Sequence, residues 1–205
     1  MFLFPNKNKY KGGMTLVELL VVLGIIAIMF GITIFDYSSF KSAVSLNNLA
    51  NDVSLSIRKA QSYSIGARGI SGNFNNRYGV NFSTDNNESF AIFTDVNNNK
   101  DYDNYSNECN DNDIGLDNEC MEKLTIKTGD YIKGFVDKCS SNSNIKSGTL
   151  SITFLRPNLD ATFKGISGVS DQVGIIISDA DNTKSKMICV TSTGQISISN
   201  YEQQN

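Results

Sequence analysis

The feature that most constrains this chain is an apolar stretch near its N-terminus, MTLVELLVVLGIIAIMFGITIF, which occupies residues 14–35. As an α-helix these 22 residues rise roughly 33 Å, enough to cross a bilayer. A secretory signal peptide has a shorter apolar region followed by a small-residue cleavage site, and no such site follows here. Lys7, Lys9 and Lys11 precede the stretch and predict a cytoplasmic N-terminus. We therefore expect a single membrane-spanning helix, with everything after Phe35 outside the cytoplasm.

The helical pattern continues beyond the apolar stretch. Apolar residues recur at spacings of mostly three or four, no proline interrupts them, and the first strong break is Gly66. We predict one helix over residues 14–65, apolar all round in its first half and amphipathic from residue 36 onward. The stripe predicted to pack on a soluble domain consists of Phe40, Val44, Val53 and Ile57.

After Gly66 the period of the apolar residues changes to two, which is typical of β-strands. Seven short segments rich in β-branched or aromatic residues are predicted strands: 78–82, 89–95, 123–127, 150–154, 174–178, 186–192 and 195–199. The last two are separated by a Thr-Gly turn and predict a hairpin. The predicted fold class is therefore α+β, with a long N-terminal helix packed on an antiparallel β-sheet domain.

Composition excludes several functions. The chain has no histidine, so a histidine-based triad, general base or metal site is excluded. Taking the three leader lysines from the 18 basic residues leaves 15 against 21 acidic residues, a balance that disfavours general binding of nucleic acid. The sequence also shows no nucleophile–base pair and no phosphate-binding glycine loop, so we do not expect an enzyme.

The four cysteines are Cys109, Cys120, Cys139 and Cys189, all beyond the apolar stretch. None forms a C-x-x-C pair, so a zinc site is not expected, and their even number fits two disulfides in an oxidising compartment. Three connectivities are open. We favour Cys109–Cys120 with Cys139–Cys189, because the first bond would close an Asn/Asp-rich loop that has little else to hold it. Four free thiols in a cytosolic domain are the alternative.

An alternation of oxygen-bearing side chains follows the second predicted strand. Asp95, Asn97, Asn99, Asp101 and Asp103 have the spacing of the first five ligand positions in an EF-hand-like calcium loop. Two positions depart from that pattern: Lys100 replaces the usual glycine, and Ser106 replaces the final glutamate, with Glu108 two residues late. Calcium is therefore one interpretation of this loop and a solvated Asn/Asp turn is the other.

The segment KGGMTLVELLVVL resembles the N-terminus of type IV prepilins and type II secretion pseudopilins. In that family a basic leader ending in glycine precedes an aromatic residue or methionine, then T-L-[IV]-E and a long apolar helix. The resemblance implies that Gly13 is the last leader residue, that Met14 becomes the N-methylated first residue, and that Glu18 acts in assembly. Phe35 stands where many major pilins have a helix-kinking proline, which implies a straighter helix and a less typical fibre subunit.

The same resemblance implies the pilin fold and its division of the chain. Residues 1–13 would be the leader, 14–35 the membrane and assembly half of the helix, 36–65 its amphipathic half, and 66–205 the extracytoplasmic domain. The implied partners are other pilin or pseudopilin subunits, prepilin peptidase, the inner-membrane assembly platform and the membrane itself. The implied location is the bacterial inner membrane, followed by a pilus or pseudopilus.

Two C-terminal segments resemble the minor pseudopilin H type. They are LSITFLRPNLDATF at 150–163 and ICVTSTGQISIS at 188–199, with Leu159 where that type often has glycine. The sequence thus predicts a minor pilin or pseudopilin. One alternative is a subunit that binds DNA or a secreted substrate, because some minor pilins of this type bind DNA during uptake. Another is an ordinary single-pass membrane protein that keeps its leader. The candidate basic patch of the DNA-binding alternative is Arg68, Arg77, Arg156, Lys164, Lys184 and Lys186.

Electrostatics explains why a glutamate would stand in an apolar helix. A buried carboxylate costs several kcal/mol unless it is paired. Cleavage after Gly13 would create a cationic amine at Met14, four residues before Glu18. The amine of a neighbouring subunit could meet Glu18 when helices stack with an axial stagger, which would set their register. The alternative is that Glu18 lies near enough to the membrane surface to be hydrated.

Overall fold

The structure is a computed structural model that describes residues 13, 15–66, 69, 74–103, 109, 114–115, 118–140, 143–169 and 171–202, without the side chains of residues 33–39. The chain divides into two compact units, Met1–Lys41 and Ser42–Asn205. Helix α1 spans Leu16–Ile65 and contributes residues to both units.

The predicted helix is present, but it begins two residues later than expected. Thr15 precedes its first residue and caps it, while at the other end the N–H of Gly66 donates to the carbonyl of Ser62 at 2.8 Å. In the described part of the chain, no helix meets the length and apolarity required of a membrane-crossing segment. The four-part division of the chain stays a prediction.

The buried face of α1 differs in part from the predicted stripe. Val53 and Ile57 are buried as expected, but Phe40 is 67% exposed and Val44 is 40% exposed. A helix turns about 100° per residue, so Val44, nine positions before Val53, lies roughly 180° away on the opposite face. The prediction was wrong for these two residues. The face that packs on the sheets is instead Leu46, Leu49, Ala50, Val53, Ile57 and Ala60.

Nine antiparallel strands form two sheets in the second unit. Their bounds are β1 Arg77–Ser83, β2 Ser89–Asp95, β3 Cys120–Thr125, β4 Tyr131–Val136, β5 Thr149–Phe154, β6 Ala161–Lys164, β7 Gln172–Ser178, β8 Ser185–Thr191 and β9 Ile196–Tyr201. The first sheet has the order β3-β2-β1-β5-β6 and the second the order β4-β7-β8-β9. The α+β prediction is confirmed, and so is the C-terminal hairpin of β8 and β9.

Each of the seven predicted strands overlaps an observed strand, but β4 and β6 were missed. Strand β4 is interrupted by a bulge between Ile132 and Gly134. Gly134 has φ 153°, and a side chain there would collide with Ile145 and the carbonyl of Lys146. The glycine that permits this close approach also breaks the alternating pattern, while β6 is only four residues long.

One hydrophobic core joins the second half of α1 to both sheets. It contains Ile57 from the helix, Val80 and Ile152 from the first sheet, and Ile175 and Ile188 from the second. A smaller cluster of Val136, Ile176, Met187 and Tyr201 lies on the other face of the second sheet. Among the described side chains of α1, those that precede Ser42 contribute nothing to either cluster.

Candidate functional site

The start of helix α1 carries the predicted processing and assembly residues. Gly13 is exposed, and a side chain placed on it would meet no atom within 4 Å. Met14, the predicted first residue of the mature protein, lies outside the described residues. Glycine at position 13 is therefore not required by local packing in the described residues.

Glu18 lies in the first turn of α1 and is exposed. Its backbone N–H donates to the Oγ1 of Thr15 at 3.3 Å, so Thr15 and Glu18 occupy the two positions of an S/T-x-x-E capping box. A carboxylate at this position also interacts favourably with the positive end of the helix dipole. The sequence reasoning missed this local role, although the spacing T-L-V-E was visible. The hydrogen bond is made by the backbone of Glu18, and the interaction of its carboxylate with the helix dipole needs no partner.

The five oxygen-bearing side chains of the predicted calcium loop bond largely to the loop itself. Asp95 is buried and accepts the backbone N–H groups of Asn99 at 3.0 Å and Lys100 at 2.9 Å. Asp103 Oδ2 accepts the side-chain amides of Asn97 at 2.7 Å and Asn99 at 2.6 Å. In this arrangement a calcium ion would have to displace both amides from Asp103.

A lysine from another strand supplies positive charge to the same loop. The Nζ of Lys164, at the end of β6, lies 3.3 Å from Asp101 Oδ2 and donates to the carbonyl of Asn99 at 3.1 Å. Among the described residues, no group of three or more Cys, Asp or Glu side chains is placed to hold a metal ion. Ser106 and Glu108 lie outside the described residues. Calcium binding by this loop stays a prediction.

A buried glutamate that the sequence analysis did not single out holds this loop in place. Glu119 is 0% exposed. Its carboxylate accepts the backbone N–H groups of Val96 at 2.8 Å, Asp103 at 3.0 Å and Asn97 at 3.5 Å. Burial raises the pKa of Glu119 to about 7, against the opposing effect of these hydrogen bonds. Burial also raises the pKa of Asp95. No local pattern around position 119 could have shown this, because its partners are 16 to 23 residues away.

The favoured disulfide pairing is confirmed. Cys109 bonds to Cys120 with Cα atoms 4.9 Å apart, and Cys139 bonds to Cys189 with Cα atoms 5.6 Å apart, both within the usual range. The first bond joins the loop region after Asp103 to the start of β3, next to Glu119. The second joins the segment after β4 to β8, within the second sheet. The alternative of four free thiols is therefore wrong.

Two further buried carboxylates attach α1 to loops of the second sheet. Ser42 Oγ donates to Asp179 Oδ2 at 2.8 Å, and Ser45 Oγ donates to Asp130 Oδ2. Burial alone would raise the pKa of Asp179, but hydrogen bonds from Lys184, Thr183 and Ser42 outweigh it and lower the pKa. The sequence gives no sign of the contact between Asp179 and the helix.

The predicted basic patch is divided between two places. Arg77 donates to Asn98, beside the loop that Lys164 also contacts. Lys184 and Lys186 instead line a cleft of about 600 Å³ together with Lys133. Arg68 lies outside the described residues, and among those described no hydrogen bond or ion pair joins Arg156 to either group.

Comparison with known proteins identifies the N-terminal segment. Residues 8–34 match the family model described as the prokaryotic N-terminal methylation motif. No curated protein and no solved structure is significantly similar to the chain. The matched residues include Gly13, Met14 and Glu18.

The motif implies a precursor in the inner membrane that later enters a pilus, with prepilin peptidase and other pilins as partners. It also marks structural proteins, so the chain is not an enzyme. A long helix packed on antiparallel sheets, the pilin type of α+β fold, agrees with this. The chain thus carries the N-terminal methylation motif of type IV prepilins and pseudopilins, a motif that implies processing by prepilin peptidase.

Proposed function

We propose that this chain is a minor pilin or pseudopilin, a structural subunit of a type IV pilus or of a type II secretion pseudopilus. Prepilin peptidase cleaves it after Gly13, the new amine of Met14 is methylated, and the subunit assembles through its N-terminal helix. The observation that carries the proposal is the methylation motif over residues 8–34, which includes all three of the positions involved.

The placement of Glu18 supports a role in assembly. Met14 and Glu18 are four residues apart in the sequence, so a mature subunit would offer a cation and an anion near the same end of its helix. A neighbour displaced along the fibre axis by a suitable distance brings its amine to this carboxylate. Such pairing offsets the cost of burying either charge among apolar helices. It also selects one axial register.

Two contacts support the minor pseudopilin H type within this proposal. The two segments that resemble that type lie side by side, because the N–H of Ala161 donates to the carbonyl of Ser192 at 2.7 Å. Gly194, in the turn between β8 and β9, has φ 80° and approaches the carbonyl of Leu159 so closely that a side chain would collide with it. Leu159 therefore takes part in this junction through its backbone, which a leucine provides as well as a glycine.

The test of the assembly role separates the charge of Glu18 from its capping position. Glu18→Gln keeps a residue suited to the capping box but removes the charge, whereas Glu18→Ala removes both. Both variants should be cleaved normally and both should form few or no fibres, as counted by electron microscopy in cells that express the assembly machinery. Normal fibres from Glu18→Gln would show that capping is sufficient and that charge pairing is wrong.

A ligand-binding subunit is the second candidate, and the lysine-lined cleft is the observation that favours it. Lys133, Lys184 and Lys186 contribute three ammonium groups to it, against the single carboxylate of Glu202. An anionic ligand such as DNA would then bind the domain over residues 36–205 in a salt-dependent way. Salt-dependent DNA binding that is lost in Lys186→Ala supports this function, while absence of binding together with co-purification of other pilins supports the first.

A further inference from the structure

The second unit carries two different surfaces at the two ends of its part of α1. The lysine-lined cleft lies at the first end, where Ala43 and Leu46 of α1 line it. At the second end, Gln61 donates to the carbonyl of Gly194 at 2.7 Å, and a side chain on Gly194 would collide with the carbonyl of Leu159. Fifteen residues of helix separate Leu46 from Gln61, a rise of roughly 22 Å. Groups at these two ends are therefore too far apart to meet within one copy.

Two exposed carboxylates, Asp160 and Asp171, are brought together at the second end. The N–H of Ala161 donates to the carbonyl of Ser192 at 2.7 Å, and the N–H of Ser192 donates to the carbonyl of Asp171 at 2.6 Å. Leu159 directly precedes Asp160 and is 42% exposed. We call Leu159, Asp160 and Asp171 the acidic corner. It combines one exposed apolar side chain with two negative charges.

Neither carboxylate of the acidic corner is neutralised by an ion pair. Among the described residues, no ion pair includes Asp160 or Asp171. The carboxylates of the predicted calcium loop are instead engaged, since Asp101 pairs with Lys164 and Asp103 accepts two side-chain amides. The acidic corner can therefore offer its charge to another molecule.

The lysine-lined cleft has the complementary charge and the space to receive this corner. Its volume is about 600 Å³, and Lys133, Lys184 and Lys186 contribute three ammonium groups against the carboxylate of Glu202. Lys186 Nζ donates to the neutral amide oxygen of Asn200 at 3.2 Å, a contact that leaves its charge uncancelled. The cleft therefore favours an occupant that carries carboxylates.

We propose that the acidic corner of one copy of this chain docks in the lysine-lined cleft of the next copy, with both helices pointing in the same direction. Leu159 then meets the apolar lining at Ala43 and Leu46, while the two carboxylates meet the three ammonium groups. The contact joins two different surfaces and leaves one of each unoccupied at the ends. A head-to-tail contact of this kind extends into an open chain of copies.

This inference rests on the structural function proposed first, and it gives the cleft a protein occupant in place of DNA. Copies that share one orientation in the membrane also share one level, so the corner of one does not meet the cleft of its neighbour there. The two surfaces meet when one copy is displaced along the helix axis by about their separation, roughly 22 Å. The contact is therefore a property of the assembled state.

The test is disulfide crosslinking in cells that express the chain together with the assembly machinery. The four native cysteines are all in disulfides, so introduced cysteines are the only free thiols. Under mild oxidation, the double variant Leu159→Cys/Asn182→Cys should give a ladder of covalent oligomers, because Asn182 lines the cleft. Co-expression of the two single variants should give dimers only, since each copy then carries one thiol.

The matched control is Leu159→Cys/Ile198→Cys. Ile198 is 38% exposed, close to the exposure of Leu159, but it does not line the cleft. This variant should give no ladder, and neither should Leu159→Cys/Asn182→Cys in cells that lack the assembly machinery.

The same cells separate failure of this inference from failure of the proposed function. An uncleaved chain, or a mature chain that is absent from sheared fibres, would overturn the proposed function and this inference with it. A mature chain that is present in fibres but gives no ladder would overturn this inference alone. A ladder equally strong in the Leu159→Cys/Ile198→Cys control would do the same.

Charge reversal in the Leu159→Cys/Asn182→Cys background gives a second readout. Replacing Asp160 and Asp171 together by lysine should lower the yield of covalent oligomers at least about tenfold, because like charges then face each other. Replacing Lys184 and Lys186 together by glutamate should do the same, and all four changes combined should restore the yield. Failure of the combined variant to recover would contradict the pairing of these surfaces.

Discussion

The N-terminal segment over residues 8–34 differs from the unit Ser42–Asn205 in what it contributes. The segment carries a short sequence motif, whereas the unit carries a packed fold. The described residues of the first form an exposed helix with no share in the hydrophobic clusters, and the segment matches the methylation motif. The second has two sheets, two disulfides and a shared core, and it lies outside the residues that match the methylation motif. Recognition by a peptidase and by partner subunits needs a short contiguous sequence, whereas a fold needs contacts distributed over the chain. Changes in the two regions should therefore have separable effects.

The largest expected effect is the loss of processing when Gly13 is replaced. Gly13→Val should leave all of the protein with its leader, because a branched side chain would occupy the cleavage position. Since no atom lies within 4 Å of the added Cβ, the thermal unfolding of the chain should not change. The mature fraction is measured by mass spectrometry.

The matched control for Gly13 is Gly24, which also has open space around a new Cβ. Gly24→Val should be processed like the wild type. Normal cleavage of Gly13→Val would show that the first region does not carry the recognition signal as described.

The next effect in size is the loss of a core contact in the second region. Ile57→Ala removes a fully buried side chain between α1 and the sheets and should lower the free energy of unfolding by about 2–5 kcal/mol. Leu55, two positions away in the same helix and 61% exposed, is the control, and Leu55→Ala should change stability by less than about 0.5 kcal/mol. Both variants should be cleaved normally. A processing defect in the stable Leu55→Ala variant would contradict the claim that cleavage of the leader is independent of the second region.

A smaller effect concerns pH, through Glu119. Its pKa is about 7 in the folded chain, above its ordinary value of 4.5. The protonated carboxyl stabilises the folded chain. This contribution is complete below about pH 4.5 and is lost as the pH rises through 7. The free energy of unfolding should fall over this window by up to about 3 kcal/mol, since a tenfold change in proton affinity corresponds to about 1.4 kcal/mol. Asp95, also raised, adds to the fall in the same direction.

The variants that test this are Glu119→Gln and Glu122→Gln, followed by chemical denaturation between pH 4 and 8. Glu119→Gln should flatten the pH dependence, because the titrating group is gone. Glu122 in β3, which pairs with Lys59 of α1 and has 45% of its side chain exposed, is the matched control for a Glu→Gln substitution in this region. An unchanged slope in Glu119→Gln would contradict the pKa assigned to this residue. Asp179 does not affect stability between pH 4 and 8. Its lowered pKa means that the ionised form stabilises the fold, and this stabilisation is lost only as the pH falls below about 4.

The smallest effect concerns calcium. If calcium binds the loop over residues 95–103 at a concentration tenfold above its dissociation constant, its removal by chelator should lower the free energy of unfolding by about 1.4 kcal/mol. The solvated-turn interpretation predicts no change in melting temperature. Asp103→Asn is the control, because it should abolish any response to chelator. An equal response in wild type and variant would place the calcium elsewhere.

The parts of this molecule that were predictable from sequence are those set by neighbours along the chain. The long helix, the β8–β9 hairpin with its turn at Gly194 and the processing motif each depend on a few consecutive residues. The disulfide Cys109–Cys120 was favoured for the same reason, since its loop is short.

What could not be predicted depends on distant residues. The division of nine strands into two sheets, the close approach of Lys146 that requires Gly134, and the burial of Glu119 under its loop all result from contacts made after folding. The error at Val44 shows the same limit, because an apolar residue at nearly helical spacing can still lie on the opposite face when one interval is too long.

The most direct test of the proposed identity is mass spectrometry of the N-terminus of the protein purified from cells that contain prepilin peptidase. We predict a mature chain that begins at Met14 and carries one methyl group on its amine. A chain that keeps its leader, or one that is cut anywhere other than after Gly13, would contradict the assignment of this protein as a pilin or pseudopilin.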